Sequence, residues 1–454
     1  MACLCCRNDL RERARAMFIH AYDSYMSHAL PYGELKPLSC KGGEFHLVKI
    51  PLVTLIDTLD TLVVLGNYTE FRHAVDIVTT QASFSLDRNV SVFETNIRCL
   101  GGLLSAHMMA VDPDLGIYPE GGYDGGLLTL AEDLGKRLLP AFQTRTGVPY
   151  GTVNLLTGVP PKETEEASLA QAGSLTIEFS VLSALTKDGS YAQAAEKAVR
   201  ALFLRRCSQG LLGKHINITT GQWTQALAGI GSNADSFYEY LLKMYILWGE
   251  VGYWDMFMEC YIIVQVYLRL GDWYADVELQ TAKVRRQVFE SLTAFWPGMQ
   301  TLIGDLQLSS RTLNAFFLVW REYGFIPEEY DYVSWQLGSS GGSLLYPLRP
   351  ELIESALFQY QATKDPSWLW AGSDFLVALE SHCRVDCGYA SINDIARLQL
   401  DDDMPSYFLS ETIKYLFLLF DEDNFLHGEE YIFSTEAHPF KIKAVRNGGF
   451  GDSA

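Results

Sequence analysis

The feature that most restricts the fold of this chain is the recurrence of apolar residues every three or four positions, in segment after segment. Residues 10 to 30 set the pattern: Ala14, Met17, Phe18, Ala21, Tyr22, Tyr25 and Met26 share one helical face, with charged residues between them in the first half. The spacing recurs over Leu52 to Leu65, Val92 to Met109, Leu127 to Phe142, Leu175 to Leu185, Tyr191 to Leu204, Ser236 to Trp248 and Trp254 to Leu270. It continues over Val284 to Phe295, Thr312 to Tyr323, Leu352 to Thr363, Trp368 to Ser381 and Tyr407 to Phe420. About a dozen helices are therefore expected. Gly-, Pro- and Asn-rich connections such as Gly116 to Gly126, Asn154 to Lys162, Gly210 to Gly221 and Gly338 to Tyr346 read as loops or short hairpins.

By length alone, 454 residues suggest two or three domains. No Pro-, Ser- or charge-rich linker divides them, however, and helix pairs recur about every 60 residues without near-identical repeats. One closed ring of helical hairpins is the expectation, and an open α-solenoid the alternative. A hydrophobic content of 48% supports a large core, while the net charge of −20 argues against unaided binding to nucleic acid or anionic membrane. Cations or neutral ligands fit better. The nearest approach to a membrane span is the short run Cys260 to Val266, so no spanning helix is expected.

The opening Met1 to Arg7 lacks the charged start, apolar run and cleavage site of a secretory signal, and residues 1–9 are expected to form an atypical leader. Asn67-Tyr-Thr, Asn89-Val-Ser and Asn217-Ile-Thr are glycosylation acceptors and point instead to a lumenal chain. Nine scattered cysteines are too few for a disulfide-stapled scaffold and lack paired zinc spacing, so most read as buried small hydrophobes.

Acids sit at suggestive places on these helices. In Arg349-Pro350-Glu351-Leu-Ile-Glu354, Pro350 suits a first helical turn, and Glu351 and Glu354 lie one turn apart. Glu94 and Arg98 are spaced to pair on one face, Asp235 suits an N-cap, and Glu411 precedes a strongly apolar helix. Taken singly, each is ordinary helix chemistry. Asp57 and Asp60, inside an apolar helix, read as core polar anchors. Near the end, the polar turn around Thr435, Glu436 and His438 has the means to plug a helical ring and to offer Thr435 oxygens to a hard cation. Glycoside hydrolysis requires one carboxylic acid to protonate the leaving oxygen and one carboxylate to activate water or attack the sugar, which a convergence of these acids would supply.

These segments resemble glycoside hydrolase family 47, the class I α1,2-mannosidases, and within it the ER degradation-enhancing α-mannosidase-like proteins. The resemblance rests on Thr54-Leu-Ile-Asp-Thr-Leu-Asp60, Val92-Phe-Glu-Thr-Asn-Ile-Arg98, Leu138-Leu-Pro-Ala-Phe142, Pro149-Tyr-Gly-Thr-Val-Asn-Leu155 and Asp235-Ser-Phe-Tyr-Glu-Tyr-Leu241. Tyr346-Pro-Leu-Arg-Pro-Glu-Leu-Ile-Glu-Ser355, Glu411-Thr-Ile-Lys-Tyr-Leu416 and Ser434-Thr-Glu-Ala-His-Pro439 complete it, all in family order. It implies an all-α (α/α)7 barrel over residues 10–441, plugged by a C-terminal hairpin and followed by a short tail, 442–454.

The resemblance further implies calcium-dependent, inverting hydrolysis of terminal α1,2-linked mannose from high-mannose N-glycans on misfolded glycoproteins in the endoplasmic reticulum lumen. Glu94 and Asp235 match the positions proposed for the acid, and the sequence does not choose between them; Glu351 matches the base. Thr435 matches the calcium ligand, and Glu354, Glu411 and Glu436 match carboxylates that hold calcium-bound water and sugar hydroxyls. Arg98 and Arg349 match site arginines. Cys40 and Cys387 match a disulfide pair, and a thiol–disulfide oxidoreductase is a candidate partner. The competing class is a mannose-binding, lectin-like module with little turnover.

Four departures stand out. Asp403-Met-Pro405-Ser-Tyr407 replaces a segment that usually reads Arg/Lys-Met-Glu-Ser-Phe, so Pro405 stands where it can shift the helix carrying Glu411, and Tyr407 replaces a Phe that stacks on substrate. Ala167-Ser168 lies where the degradation-enhancing members usually carry a cysteine.

Overall fold

The computed structural model describes residues 4–119, 121–338, 342–427 and 430–442. The first three residues of the expected leader, residues 339–341 of one expected connection and residues 443–454 of the expected tail lie outside them.

Two kinds of helix alternate along the chain. Val53–Val64 and Ile413–Phe420 are buried at every position, and Thr176–Thr186, Asp235–Trp248 and Glu351–Thr363 over most of their length. Tyr68–Gln81, Ser190–Phe203 and Leu306–Tyr323 bury one face only. A helix apolar all round needs neighbours on every side, whereas an amphipathic one covers it from outside. Glycines in the left-handed region end Asp235–Trp248 and Leu306–Tyr323: Gly249 (φ 78°) and Gly324 (φ 79°) let the backbone turn back at once.

The first helix, Leu4–His28, packs against the last, Ile413–Phe420. The ring is thereby closed, and the open solenoid is excluded. A further tie joins Cys40 to Cys387 in a disulfide, as the family resemblance implied. Beside it Asp402 Oδ1 accepts the backbone N–H groups of Leu38 and Ser39, and Lys36 pairs with Asp403 at 2.7 Å. Of the remaining described cysteines, Cys99, Cys260 and Cys383 are buried and Cys207 is half-buried. The hairpin Tyr431–Phe433/Pro439–Lys441 reaches into the ring, where Ser105 donates to Pro439 O at 3.0 Å and Lys414 to Ala437 O at 2.7 Å.

Several expectations are corrected. Val284 to Phe295 is not a helix but two short strands, Val284–Arg286 and Val288–Glu290, then a 3-10 turn, Ser291–Phe295. Phe289 stands opposite Tyr330 in an antiparallel pair, a long-range partnership that overrides the local helical spacing. Helices Tyr68–Gln81 and Trp296–Leu302 were not anticipated, although Asn67 caps the first by accepting the Glu70 N–H and Pro297 opens the second. Residues 4–9 of the expected leader are continuous with the first helix.

The Cys40–Cys387 bond closes a loop of 347 residues. Replacing both cysteines by serine is expected to cost about 2–4 kcal/mol, because the unfolded chain regains that loop's freedom. Denaturant unfolding without reductant measures the loss, and peptide mapping that finds both wild-type thiols free contradicts the tie.

Candidate active site

Helix starts deliver two of the acids. Asp235 is the first residue of its helix, one place inside the expected cap, and its Oδ1 accepts the Ser236 N–H at 2.8 Å. Glu351 likewise opens Glu351–Thr363, with Pro350 at the cap position instead of in the first turn. Irregular turns deliver two more residues. The π-turn Thr95–Leu100 carries Arg98, and the π-turn Phe408–Thr412 carries Glu411. Such a widened turn re-aims a side chain that a regular helix would bury elsewhere.

All ten catalytic, substrate and metal residues expected from the sequence line one open cavity: Glu94, Arg98, Asp235, Arg349, Glu351, Glu354, Tyr407, Glu411, Thr435 and Glu436. Arg98 Nε donates to Glu94 Oε2 at 3.0 Å, and Arg98 also pairs with Glu436. The Tyr407 hydroxyl donates to Pro347 O at 2.7 Å. The Arg98 and Arg349 guanidinium groups stand 5.4 and 5.7 Å from the Tyr407 ring centroid, so the ring expected to stack on substrate already holds two cations.

Three residues were missed as site members. Glu239 lines the cavity beside Asp235 and pairs with the buried Lys243, which lies 3.7 Å from Glu354. Their four-residue spacing on one helix was the available signal. Glu328, from a distant loop, grips Arg349 through both oxygens at 2.9 and 3.1 Å and accepts the Ser291 hydroxyl at 2.8 Å. No local pattern marked it.

Seven carboxylates face two guanidinium groups in the lining, and burial raises five of them. Burial pushes Asp235 up to about 7, against the Ser236 hydrogen bond and with help from Glu239 and Glu290. It also raises Glu351 to about 7, with Arg349 opposing. Glu354 is raised by burial against the pull of Lys243, Glu411 by burial and then Glu436, and Glu436 by burial against Arg98. Carboxylates forced together out of water favour a cation among them. Thr435 lines the same cavity while its hydroxyl and carbonyl have no hydrogen-bond partner among the described residues, and Glu351 Oε2 is buried without one. These are hard oxygen donors, and they fit an alkaline-earth ion. Among the described residues no three Asp, Glu, His or Cys side chains group as direct ligands, so such an ion would draw on Thr435 and on water.

The sequence profile of glycosyl hydrolase family 47 matches residues 17–442. The chain belongs to this family. It is 48% identical to alpha-mannosidase I MNS4 of Arabidopsis thaliana over 95% of this chain and 70% of that protein. It is 44% identical to human ER degradation-enhancing alpha-mannosidase-like protein 2, over 96% of this chain and 78% of the other. The solved alpha-1,2-mannosidase from Trichoderma reesei superposes with a TM-score of 0.86 at 28% identity, over 96% of this chain and 99% of that one.

Within family 47 the departures of this chain have local explanations. Asp403 is turned away to Lys36, and Pro405 precedes the π-turn without displacing Tyr407 or Glu411 from the cavity. Ser168 caps the short helix Leu169–Gly173 in a reciprocal box with Gln171. Asn67 and Asn89 are exposed, whereas Asn217 is half-buried and its Oδ1 accepts the Thr219 and Thr220 N–H groups.

The raised Glu351 predicts a pH effect. The unfolded chain releases this proton near 4.5 and the folded one near 7, so folding stability falls as pH rises through that window. In chelator, Glu351→Gln is expected to be more stable than wild type at pH 8, by up to about 3 kcal/mol, with the advantage gone below pH 4.5. Denaturant unfolding at both pH values checks it, and parallel profiles would contradict it.

Proposed function

We propose that this chain is a calcium-dependent, inverting α1,2-mannosidase that trims terminal mannose from high-mannose N-glycans of misfolded glycoproteins in the endoplasmic reticulum lumen. The observation that carries this reading is the pair Asp235 and Glu351, two carboxyl groups in one cavity, both pushed by burial to about 7. Groups that titrate near neutrality are matched to proton transfer there. The solved alpha-1,2-mannosidase and the degradation-enhancing relatives support the substrate and the setting. The alternation of buried and amphipathic helices supports a plugged (α/α)7 barrel acting as one catalytic domain.

Of the two candidates for the acid, Asp235 suits the role better. Its proton persists to about 7, whereas Glu94 Oε2 is occupied as an acceptor of Arg98. Asp235 donates its proton to the departing glycosidic oxygen. Glu351 removes a proton from the water that attacks the anomeric carbon from the opposite face, and the products are free mannose and the shortened glycan. Glu328 fixes Arg349 beside Glu351, and the apolar walls Phe93, Ile97, Leu292 and Phe295 limit stray water. Calcium, held by Thr435 and by water on Glu354, Glu411 and Glu436, would supply binding to sugar hydroxyls and support for a distorted ring. An oxidoreductase partner forms no part of this reading, since Cys40 and Cys387 are bonded to each other.

The test is mannose release from a high-mannose glycan with and without chelator. Wild type is expected to release mannose only with calcium, and Glu351→Gln to lower kcat by about 10²–10⁴-fold. Intact glycan binding with no release by wild type would replace the enzyme with the mannose-binding module.

A further inference from the structure

The turn that presents Thr435 and Glu436 is gripped from beneath by buried residues that the proposed reaction leaves idle. It joins the strands Tyr431–Phe433 and Pro439–Lys441. His438, fully buried, stands between two acids of the Val53–Val64 helix: Nδ1 is 2.7 Å from Asp60 Oδ2 and Nε2 is 3.3 Å from Asp57 Oδ1. The ring is thus held between two carboxylates, hydrogen-bonded through Nδ1 to Asp60, while Nε2 lies near Asp57 without a hydrogen bond. Lys414, also fully buried, reaches Asp60 Oδ1 and the Ala437 carbonyl, each at 2.7 Å. On the other side Lys243 lies 3.4 Å from the Ser434 carbonyl. The Tyr240 hydroxyl accepts the Thr435 N–H at 3.4 Å and donates to Glu178 at 2.5 Å.

The backbone is shaped to this grip. Ala437 sits in the left-handed region at φ 57°, a conformation that persists only where surroundings enforce it. Gly101 leaves the slot for the imidazole, because a Cβ there would stand 2.6 Å from His438 Cδ2. The carbonyls of Ser434 and Ala437, on either side of Thr435 and Glu436, are committed to lysines, which leaves the oxygens of Thr435 free. An apolar plug would seal the ring with less desolvation, whereas buried ion pairs of this kind fix register.

We propose that His438, with Asp57, Asp60, Lys414 and Tyr240, is a positioning device that sets the height and orientation of Thr435 and Glu436 at the cavity floor. What the turn then holds rests on the mannosidase reading; that the turn is held does not.

The test uses His438→Gln and the milder Tyr240→Phe in the full chain. Hydrogen exchange across residues 431–441 in chelator reads the turn itself, calorimetric titration with calcium alone reads the cradle, and mannose release at saturating calcium reads the reaction. Exchange at 434–438 is expected to quicken by at least about tenfold while Tyr68–Gln81 and Leu306–Tyr323 stay protected. Calcium affinity is expected to fall by about 10- to 100-fold, as when groups behind a metal ligand are lost, and kcat to fall more than KM rises. Folded variants with an unchanged turn and unchanged calcium affinity overturn the proposal. So does lost protection throughout the ring in both variants, because the network would then hold the fold and not the turn. A wild type that binds no calcium refutes the cofactor reading, and the exchange result still judges the positioning.

Discussion

The arrangement depends on one buried guanidinium. Arg98 meets Glu94 and Glu436, lies 3.7 Å from Asp57, donates to Ser406 at 3.2 Å, and stands over the rings of Phe45 and Tyr407 at 5.1 and 5.4 Å. These partners come from the loop after the strand Lys41–Gly43, the first fully buried helix, the short helical turn Val92–Glu94 just before Arg98, the segment before the last helix and the hairpin Tyr431–Phe433/Pro439–Lys441. Without a cation at their junction, three acids would confront one another out of water, a cost that no packing of hydrocarbon recovers. The cavity therefore exists because opposite charge is distributed around this point. Burial leaves Asp235, Glu351, Glu354, Glu411 and Glu436 reluctant to ionise, and the proposed proton transfer would draw on that reluctance in Asp235 and Glu351.

The ring of helices and the convergence of ten expected residues on one cavity were legible in the sequence for different reasons. Helical spacing reports burial directly, so the inner helix Val53–Val64 and its two acids could be read as a core element with polar anchors, and Asp60 does anchor Lys414 and His438. The site residues were legible only through the ordered motifs, since a first-turn Glu351 looks like any helix-starting acid. What escaped is what depends on remote partners. Phe289 takes its strand from Tyr330, Glu328 gains its role from Arg349, and Asp403 is explained by Lys36. Each of those pairs joins residues at least 21 positions apart, beyond the reach of any helical or strand period. Pro405 teaches the complementary lesson: a residue that breaks helices is harmless where the helix has not yet begun.

The turn at 434–438 is synthesised long after Asp57 and Asp60, against which it rests. A nascent chain can form most of its helical hairpins while still on the ribosome and nevertheless possess no cavity floor. The cavity is thus not completed gradually as the helices accumulate. It is completed when the hairpin Tyr431–Phe433/Pro439–Lys441 packs against the helix Val53–Val64, and helices assembled without that hairpin would lack the Thr435 and Glu436 wall of the cavity.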